Sequence, residues 1–201
     1  MTRVKICGIT SVEDALAAQQ AGADAIGLVF VPASKRSVGI EQARRICRVL
    51  GPFVNRVGLF MDAGADEVAR VLSTVPLDTL QFHGREPAGF CRQFCRPWIK
   101  ALAMGGSELP DWQEFLDADA LLLDSHGGGK LGGSGETFDW GQVPELQRPW
   151  ILAGGLAPDN VAEACRALRP DAVDVSSGVE IQPGIKDHKA MNAFIKAVNH
   201  A

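Results

Sequence analysis

The chain has neither a run of basic residues nor a long apolar segment. Its formal net charge of -4 at pH 7 argues against nucleic acid or an anionic membrane as the main partner. Its longest apolar runs are far shorter than the roughly 18 residues that mark a membrane span. An anionic small molecule would therefore have to be held locally, by backbone amides and a few cations.

Cysteine is sparse, and its pattern argues against two further classes of protein. The five cysteines are an odd number and lack the density of a secreted disulfide scaffold. Cys91 and Cys95 lie four positions apart in a predicted helix, and no second Cys/His pair has zinc-site spacing. A strand is predicted almost from the first residue, so no signal peptide is expected. We expect a cytoplasmic protein without a metal.

Patterns typical of strands and helices alternate along the whole chain. The strand patterns are short and apolar throughout, which is typical of a parallel sheet covered on both faces. They are predicted at residues 5–7, 25–30, 56–60, 78–82, 98–103, 120–123, 150–153 and 172–175. Eight strand–helix units in 201 residues indicate an α/β protein with a closed (β/α)₈ TIM barrel, eight parallel strands and outer helices. No linker divides the chain, so residues 1–201 are predicted to form one domain.

An aspartate opens every second predicted strand of this barrel. The four are Asp24, Asp78, Asp119 and Asp171. The spacing resembles a two-unit module repeated around a ring, although aspartate is common before strands and chance is an alternative.

Two candidate catalytic residues end predicted strands, where active sites of such barrels lie. The first strand ends at Cys7, and Lys5 lies on the same side two residues earlier. A cation there would favour the thiolate and make Cys7 a base or nucleophile, but free cysteines are also commonly buried as apolar residues. Asp124 follows the sixth strand, where partial desolvation would suit a proton donor; the alternative is a loop cap. One group to take a proton and one to give it is the minimum for an isomerase.

A candidate phosphate site follows the last two strands. Gly154 and Gly155 come after the seventh strand, and Ser176, Ser177 and Gly178 come after the eighth. Backbone amides and hydroxyls at these two loops form the recurrent phosphate site of barrels. The alternative is that the glycines only make tight turns.

Three other loops carry candidate site residues. Arg36, after the second strand, is placed to bind a carboxylate through two parallel hydrogen bonds, although most loop arginines are only solvated. His83, after the fourth strand, either lines the mouth or is structural. The glycine-rich residues 127–135, which include Gly133 and Ser134, are predicted to cover the site.

Six motifs together resemble the phosphoribosylanthranilate isomerases, barrel enzymes of tryptophan biosynthesis. They are KICGIT at 5–10, QFHG at 81–84, GGSGETFDW at 132–140, LAGGL at 152–156, DVSSGVE at 174–180 and PGIKD at 183–187. They occur in the family order. Two departures are Ser134, where threonine is more usual, and Glu136, in place of a common lysine or arginine.

The resemblance implies an Amadori rearrangement of N-(5-phosphoribosyl)anthranilate to 1-(2-carboxyphenylamino)-1-deoxyribulose 5-phosphate, without metal or organic cofactor. Cys7 matches the general base that removes the proton from ribose C2, and Asp124 the general acid that protonates the ring oxygen. Arg36 falls where the family holds the anthranilate carboxylate, and Asp174 where it orients ribose hydroxyls. The expected partner is a phosphorylated small molecule, with association to adjacent pathway enzymes also considered.

Two other functions are weighed against this one. An isomerase or epimerase of another phosphorylated sugar would generally pair two aspartates, so the cysteine argues against it. A non-catalytic phosphate-ligand-binding barrel would have little need for both Cys7 and Asp124.

Overall fold

The computed structural model describes residues 1–105, 111–125, 143 and 146–201. Within them, eight parallel strands close into a barrel in chain order, which confirms the predicted (β/α)₈ fold. The strands are β1 Arg3–Cys7, β2 Ala25–Val29, β3 Asn55–Phe60, β4 Thr79–Phe82, β5 Trp98–Ala103, β6 Ala120–Asp124, β7 Trp150–Ala153 and β8 Ala172–Val175. Their ends differ from the predicted ones by at most two residues.

Helices follow most of the strands. They are α1 Val12–Ala21, α2 Ile40–Val49, α3 Ala65–Leu72, α4 Ala88–Arg92, α5 Val161–Leu168 and α6 His188–Asn199, with 3₁₀ turns at Gln113–Phe115 and Ser177–Val179. Local sequence explains their limits: the Ser11 hydroxyl accepts from the Asp14 amide to start α1, and Gly22 ends it at a φ of 98°. In the described ranges no helix is long and apolar enough to cross a bilayer.

One pair of strands was not predicted. β9 Glu180–Gln182 and β10 Ile185–Lys186 form a small antiparallel hairpin after β8. Its turn contains Gly184 at a φ of 86°, a left-handed conformation that glycine adopts without a Cβ clash. The hairpin lies at the end of the barrel where the β-strands finish.

Small and branched apolar side chains form a separate inner cluster. It consists of Val57, Ile99, Ala101, Leu122, Ile151 and Ala153. Side chains two residues apart share a face of a strand, so Asp124 continues the inward face of Leu122 toward the barrel mouth. A larger apolar layer packs between the strands and the helices. The polar side chains at the barrel mouth therefore lie above a packed, apolar interior.

The aspartates before the even strands form a repeated backbone contact at the opposite end. In each repeat the carboxylate accepts a backbone N–H from the preceding odd strand, at 2.8–3.0 Å. The donors are Val4 to Asp24, Arg56 to Asp78, Trp98 to Asp119 and Trp150 to Asp171. Each aspartate also donates its own N–H to the carbonyl of the same donor residue. The predicted two-unit repeat is therefore present as four equivalent pairs of hydrogen bonds between an aspartate and a strand residue, each of which we call a bracket.

Replacing Asp24 by alanine should lower the free energy of unfolding by about 1–2 kcal/mol, because the buried Val4 amide loses a charged acceptor. Urea unfolding of wild type and variant measures the difference. Asp159→Ala is the matched control, since Asp159 is exposed and has no hydrogen bond or ion pair within the described residues. Equal losses in the two variants would show that the bracket does not stabilise the barrel.

Candidate active site

Three polar side chains, on β1 and β8, lie close together near the barrel mouth, the end where the β-strands finish. Lys5 and Asp174 are paired in the strand register, and Lys5 Nζ lies 2.8 Å from Asp174 Oδ1. Cys7, the last residue of β1, lies on the same face of the strand as Lys5. All three are at least nine-tenths buried. The arrangement is a thiol beside an ion pair, shielded from bulk water.

Burial raises the pKa of the Cys7 thiol, and the nearby Lys5 ammonium offsets only part of that effect. Lys5 lowers the pKa of Cys7, which is the direction predicted for it, but burial outweighs this effect and the negative charge of Asp174 raises the pKa further. Burial lowers the pKa of Lys5, but Asp174 and Cys7 together raise it above its ordinary value. Lys5 is therefore a fixed cation.

Gly27 on β2 makes room for this group. A Cβ at Gly27 would lie 2.7 Å from Cys7 Sγ and 3.2 Å from Lys5 Nζ. Gly27 is also the register partner of Cys7. Because Gly27 has no side chain, the Cys7 thiol and the Lys5 ammonium can pack against the backbone of β2.

The Lys5→Met variant should move the ascending, acidic limb of the pH–rate profile to higher pH. Thiolate forms as pH rises through the pKa of Cys7, so a reaction that needs the thiolate speeds up with pH. Removing Lys5 removes the cation that lowers this pKa, and the rate at neutral pH should fall. Steady-state kcat/KM measured across pH tests this.

Lys100→Met is the matched control for that experiment. Lys100 on β5 is equally buried and forms an ion pair of 3.0 Å with Glu86, away from Cys7. Its replacement should leave the position of the limb unchanged. A limb that stays in place in Lys5→Met would show that Lys5 does not tune the thiol.

Asp124 lies at the same mouth, on β6. The register aligns Asp124 with Ala153 on β7, Ala153 with Asp174 on β8, and Asp174 with Lys5 on β1. Since neighbouring strands are about 4.8 Å apart, the Cα atoms of Asp124 and Asp174 are separated by roughly 10 Å. In the strand register Ala153 lies between them. Asp124 and the Cys7 group thus lie at the same end of the barrel, on different strands.

From the sequence, His83 had two interpretations, a residue that lines the mouth or a structural residue. In the structure it contacts Asp124, the candidate acid. Its Nε2 lies 3.2 Å from Asp124 Oδ2, and its Nδ1 lies 3.1 Å from Gln81 Nε2. With the Gln81 amide donating to Nδ1, the neutral ring carries its proton on Nε2, the nitrogen that faces Asp124. His83 therefore lies at the barrel mouth beside Asp124.

The loops after β7 and β8 are held close together. Gly154 and Gly155 have φ values of 86° and 63°. A Cβ on Gly178 would lie 2.0 Å from the Leu156 carbonyl oxygen, so close packing of the two loops requires glycine there. In the part of the chain that is described, the amides of Gly155, Ser177 and Gly178 have no hydrogen-bond acceptor. These amides are available for an anion, with the hydroxyls of Ser176 and Ser177 nearby in sequence.

Arg36 reaches the β1 end from the loop after β2. Its Cδ would be 2.6 Å from a Cβ on Gly8, the residue directly after Cys7. Its Nε and Nη2 donate to the two carboxylate oxygens of Glu180, at 2.9 and 2.6 Å. Arg36 is therefore fixed rather than solvated.

Sequence reasoning missed two charged residues of this region, Glu180 and Lys186. Both lie on the unpredicted hairpin, and their only signal was membership of the DVSSGVE and PGIKD motifs. The structure thus collects Lys5, Cys7, Arg36, His83, Asp124 and Asp174 at one end of the barrel, together with the two phosphate-loop candidates. Gly133, Ser134 and the predicted cover at 127–135 lie outside the described residues.

The sequence and the fold of this chain match those of known proteins. Residues 4–197 match the family model of N-(5'-phosphoribosyl)anthranilate (PRA) isomerase. The chain is 53% identical to N-(5'-phosphoribosyl)anthranilate isomerase of Acidithiobacillus ferrooxidans, with 98% of each chain covered. It superposes with a TM-score of 0.90 and 44% identity on phosphoribosyl anthranilate isomerase from Thermotoga maritima, covering 100% of both chains.

A further solved structure shows a relative with a ligand. That phosphoribosyl anthranilate isomerase, in complex with reduced 1-(o-carboxyphenylamino)-1-deoxyribulose 5-phosphate, has a TM-score of 0.86, 42% identity and 100% coverage of both chains. The family resemblance inferred from the six motifs is confirmed. The chain belongs to the N-(5'-phosphoribosyl)anthranilate isomerase family.

Proposed function

We propose that Cys7 and Asp124 act as general base and general acid in the isomerisation of N-(5'-phosphoribosyl)anthranilate by this chain. Membership of the family establishes the isomerase activity and its place in tryptophan biosynthesis. The observation that carries the assignment of residues is that a buried thiol and a buried carboxyl group end β1 and β6 at the same end of the barrel.

The reaction needs a proton at one atom and the loss of a proton at another. Asp124 donates to the furanose ring oxygen, the bond from that oxygen to C1 breaks, and a Schiff base forms between C1 and nitrogen. The Cys7 thiolate then removes the proton from C2, the electron pair of that C–H bond forms the C1–C2 double bond, and the electrons of the C1–N double bond move onto the protonated Schiff-base nitrogen. Tautomerisation of this enol gives the ketone at C2 and the amine at C1.

The environment of Cys7 suits proton abstraction from carbon. Burial makes the thiolate less available at neutral pH but also a stronger base once formed. The nearby Lys5 ammonium lowers the pKa of Cys7 and so favours the thiolate. Asp174 holds Lys5 in that position through its 2.8 Å ion pair. Orientation of ribose hydroxyls by Asp174 stays a prediction.

The acid side has its own supporting contact. His83 Nε2 lies 3.2 Å from Asp124 Oδ2, and this contact helps to hold the carboxyl group at the mouth. The Gln81 contact to His83 Nδ1 keeps the ring from turning.

The substrate's phosphate is assigned to the loops after β7 and β8. Unpartnered amides at Gly155, Ser177 and Gly178 supply donors without adding positive side chains. This accords with a chain whose net charge is -4.

Arg36 is assigned to the binding of the anthranilate carboxylate. The Arg36→Met variant should raise KM by roughly tenfold to a hundredfold, because charged hydrogen bonds contribute about 1.5–3 kcal/mol. Its kcat at saturation should change much less. Arg44→Met is the control, since Arg44 pairs with Glu41 on the exposed face of α2. An unchanged KM in Arg36→Met would remove the carboxylate assignment.

The proposed activity itself is tested with freshly prepared phosphoribosylanthranilate. Wild-type protein should consume the substrate, seen as loss of its fluorescence, without added metal or cofactor. Competition with phosphorylated aminoaldoses separates this substrate from those of other sugar-phosphate isomerases. Turnover of another sugar phosphate in preference to phosphoribosylanthranilate would contradict the assignment.

Three broader expectations stay predictions. They are that residues 1–201 form one domain, that the protein is cytoplasmic, and that it associates with adjacent pathway enzymes. Support for a reducing compartment comes from the cysteines, all five of which are free thiols.

A further inference from the structure

Arg36 has only part of its hydrogen-bonding capacity left for a substrate. A guanidinium offers two forks to a carboxylate, one formed by Nε with Nη2 and one formed by Nη1 with Nη2. Glu180 fills the first fork, accepting from Nε at 2.9 Å and from Nη2 at 2.6 Å. Within the described ranges, Nη1 has no acceptor. The Nη1–Nη2 edge is the one that remains open.

Glu180 is itself held by several donors. Its Oε1 accepts from Lys186 Nζ at 2.8 Å and from the Gly184 amide at 3.3 Å. Lys186 also donates to the Ser176 carbonyl oxygen at 3.1 Å, which ties it to the loop after β8. The side chains of Glu180 and Lys186 are 4% and 0% exposed, so the pair is a built-in part of the fold.

Charge at Glu180 is maintained by these contacts. Burial alone would raise the pKa of Glu180, but hydrogen bonds from Arg36 and Lys186 bring it below its ordinary value. A buried carboxylate that stays ionised needs both neighbouring cations to compensate its negative charge. Removing its charge should therefore release the Arg36 side chain first, because Arg36 is the more exposed partner.

We propose that Glu180 is a positioning residue for the substrate's carboxylate, acting through Arg36. It occupies the Nε–Nη2 fork and turns the Nη1–Nη2 edge toward the aryl carboxylate beside Cys7. The hairpin formed by β9 and β10 thereby contributes to substrate specificity although it need not touch the substrate. This inference rests on the proposed binding of the carboxylate by Arg36.

The test compares two ligands that differ only in the carboxylate. One is reduced 1-(o-carboxyphenylamino)-1-deoxyribulose 5-phosphate, and the other is the same compound with a plain phenyl ring. Titration gives Kd for each with wild type, Glu180→Gln, Arg36→Met and the double variant. Glu180→Gln should reduce the preference for the carboxylate compound by about tenfold, with Kd for the phenyl compound unchanged.

The double variant separates positioning from a purely structural effect. If Glu180 acts through Arg36, adding Glu180→Gln to Arg36→Met should cause no further loss of preference. In steady-state assays, Glu180→Gln should raise KM while kcat at saturation stays close to that of wild type. Glu41→Gln, which breaks an exposed Glu–Arg pair on α2, is the matched control and should change neither quantity.

Each other outcome has a defined meaning. A folded Glu180→Gln protein that keeps the full preference, or that weakens both ligands equally, overturns the positioning role. An Arg36→Met protein that keeps the preference overturns the proposed carboxylate site instead. If Glu180→Gln does not fold, Glu180→Asp keeps the charge but withdraws it from Arg36 by one methylene; it should show the same loss, and full preference would overturn the inference.

Discussion

Replacing Cys7 by alanine should lower kcat by roughly 10²–10⁴-fold, the usual contribution of a positioned general base. Alanine fills the same backbone position without a group that can accept the C2 proton. The Lys5–Asp174 ion pair remains, so the buried charges stay compensated and the barrel should fold. Binding of the reduced product analogue should persist, because the proposed carboxylate and phosphate sites do not include the thiol.

Cys47→Ala is the control for this prediction. Cys47 is also a buried free thiol, on α2, and burial raises its pKa to about 11. Loss of a buried sulfur alone should leave kcat near the wild-type value. Near wild-type turnover in Cys7→Ala would show that the thiol is an apolar core residue, the other interpretation that its position allowed.

Replacing Asp124 by asparagine should lower kcat by a similar factor, roughly 10²–10⁴-fold. Asparagine keeps the shape of the side chain and can still accept a hydrogen bond from His83, but it cannot deliver a carboxylic proton. Ring opening should then become the slow step. The rate of substrate loss, measured by fluorescence in a single turnover, reports this change.

Asp159→Asn is the control for the change of charge, because Asp159 is exposed at the protein surface. The reduced product analogue, whose ring is already open, should bind Asp124→Asn with an affinity close to that for wild type. If Asp124→Asn turned over at the wild-type rate, the proton would have to come from another group, and His83, whose Nε2 lies 3.2 Å from Asp124, would be tested next.

The barrel and the positions of the main site residues were predictable from the sequence. Parallel strands buried on both faces have a strong local signal, and each strand end indicates which residue reaches the mouth. Cys7 and Asp124 follow directly from that rule. The brackets at Asp24, Asp78, Asp119 and Asp171 were visible as a pattern, but their hydrogen bonds required the register of neighbouring strands.

The electrostatics of the site were not predictable in the same way. The net effect on the pKa of Cys7 depends on how completely the thiol is buried and on Asp174, which comes from the last strand. The partner of Arg36 was also missed, since Glu180 is 144 positions away in the chain. The β9 and β10 strands are too short for any periodic pattern, so the hairpin that carries Glu180 had no local signal.

The most direct test of proton abstraction by Cys7 uses phosphoribosylanthranilate carrying deuterium at ribose C2. In a single turnover, wild-type protein should convert the deuterated substrate more slowly than the ordinary one, since breaking the C2–H bond is the step assigned to the thiolate. In Cys7→Ala the rate with either substrate should fall by orders of magnitude. Equal single-turnover rates for the two substrates in wild type, together with an active Cys7→Ala protein, would contradict a Cys7-dependent isomerisation.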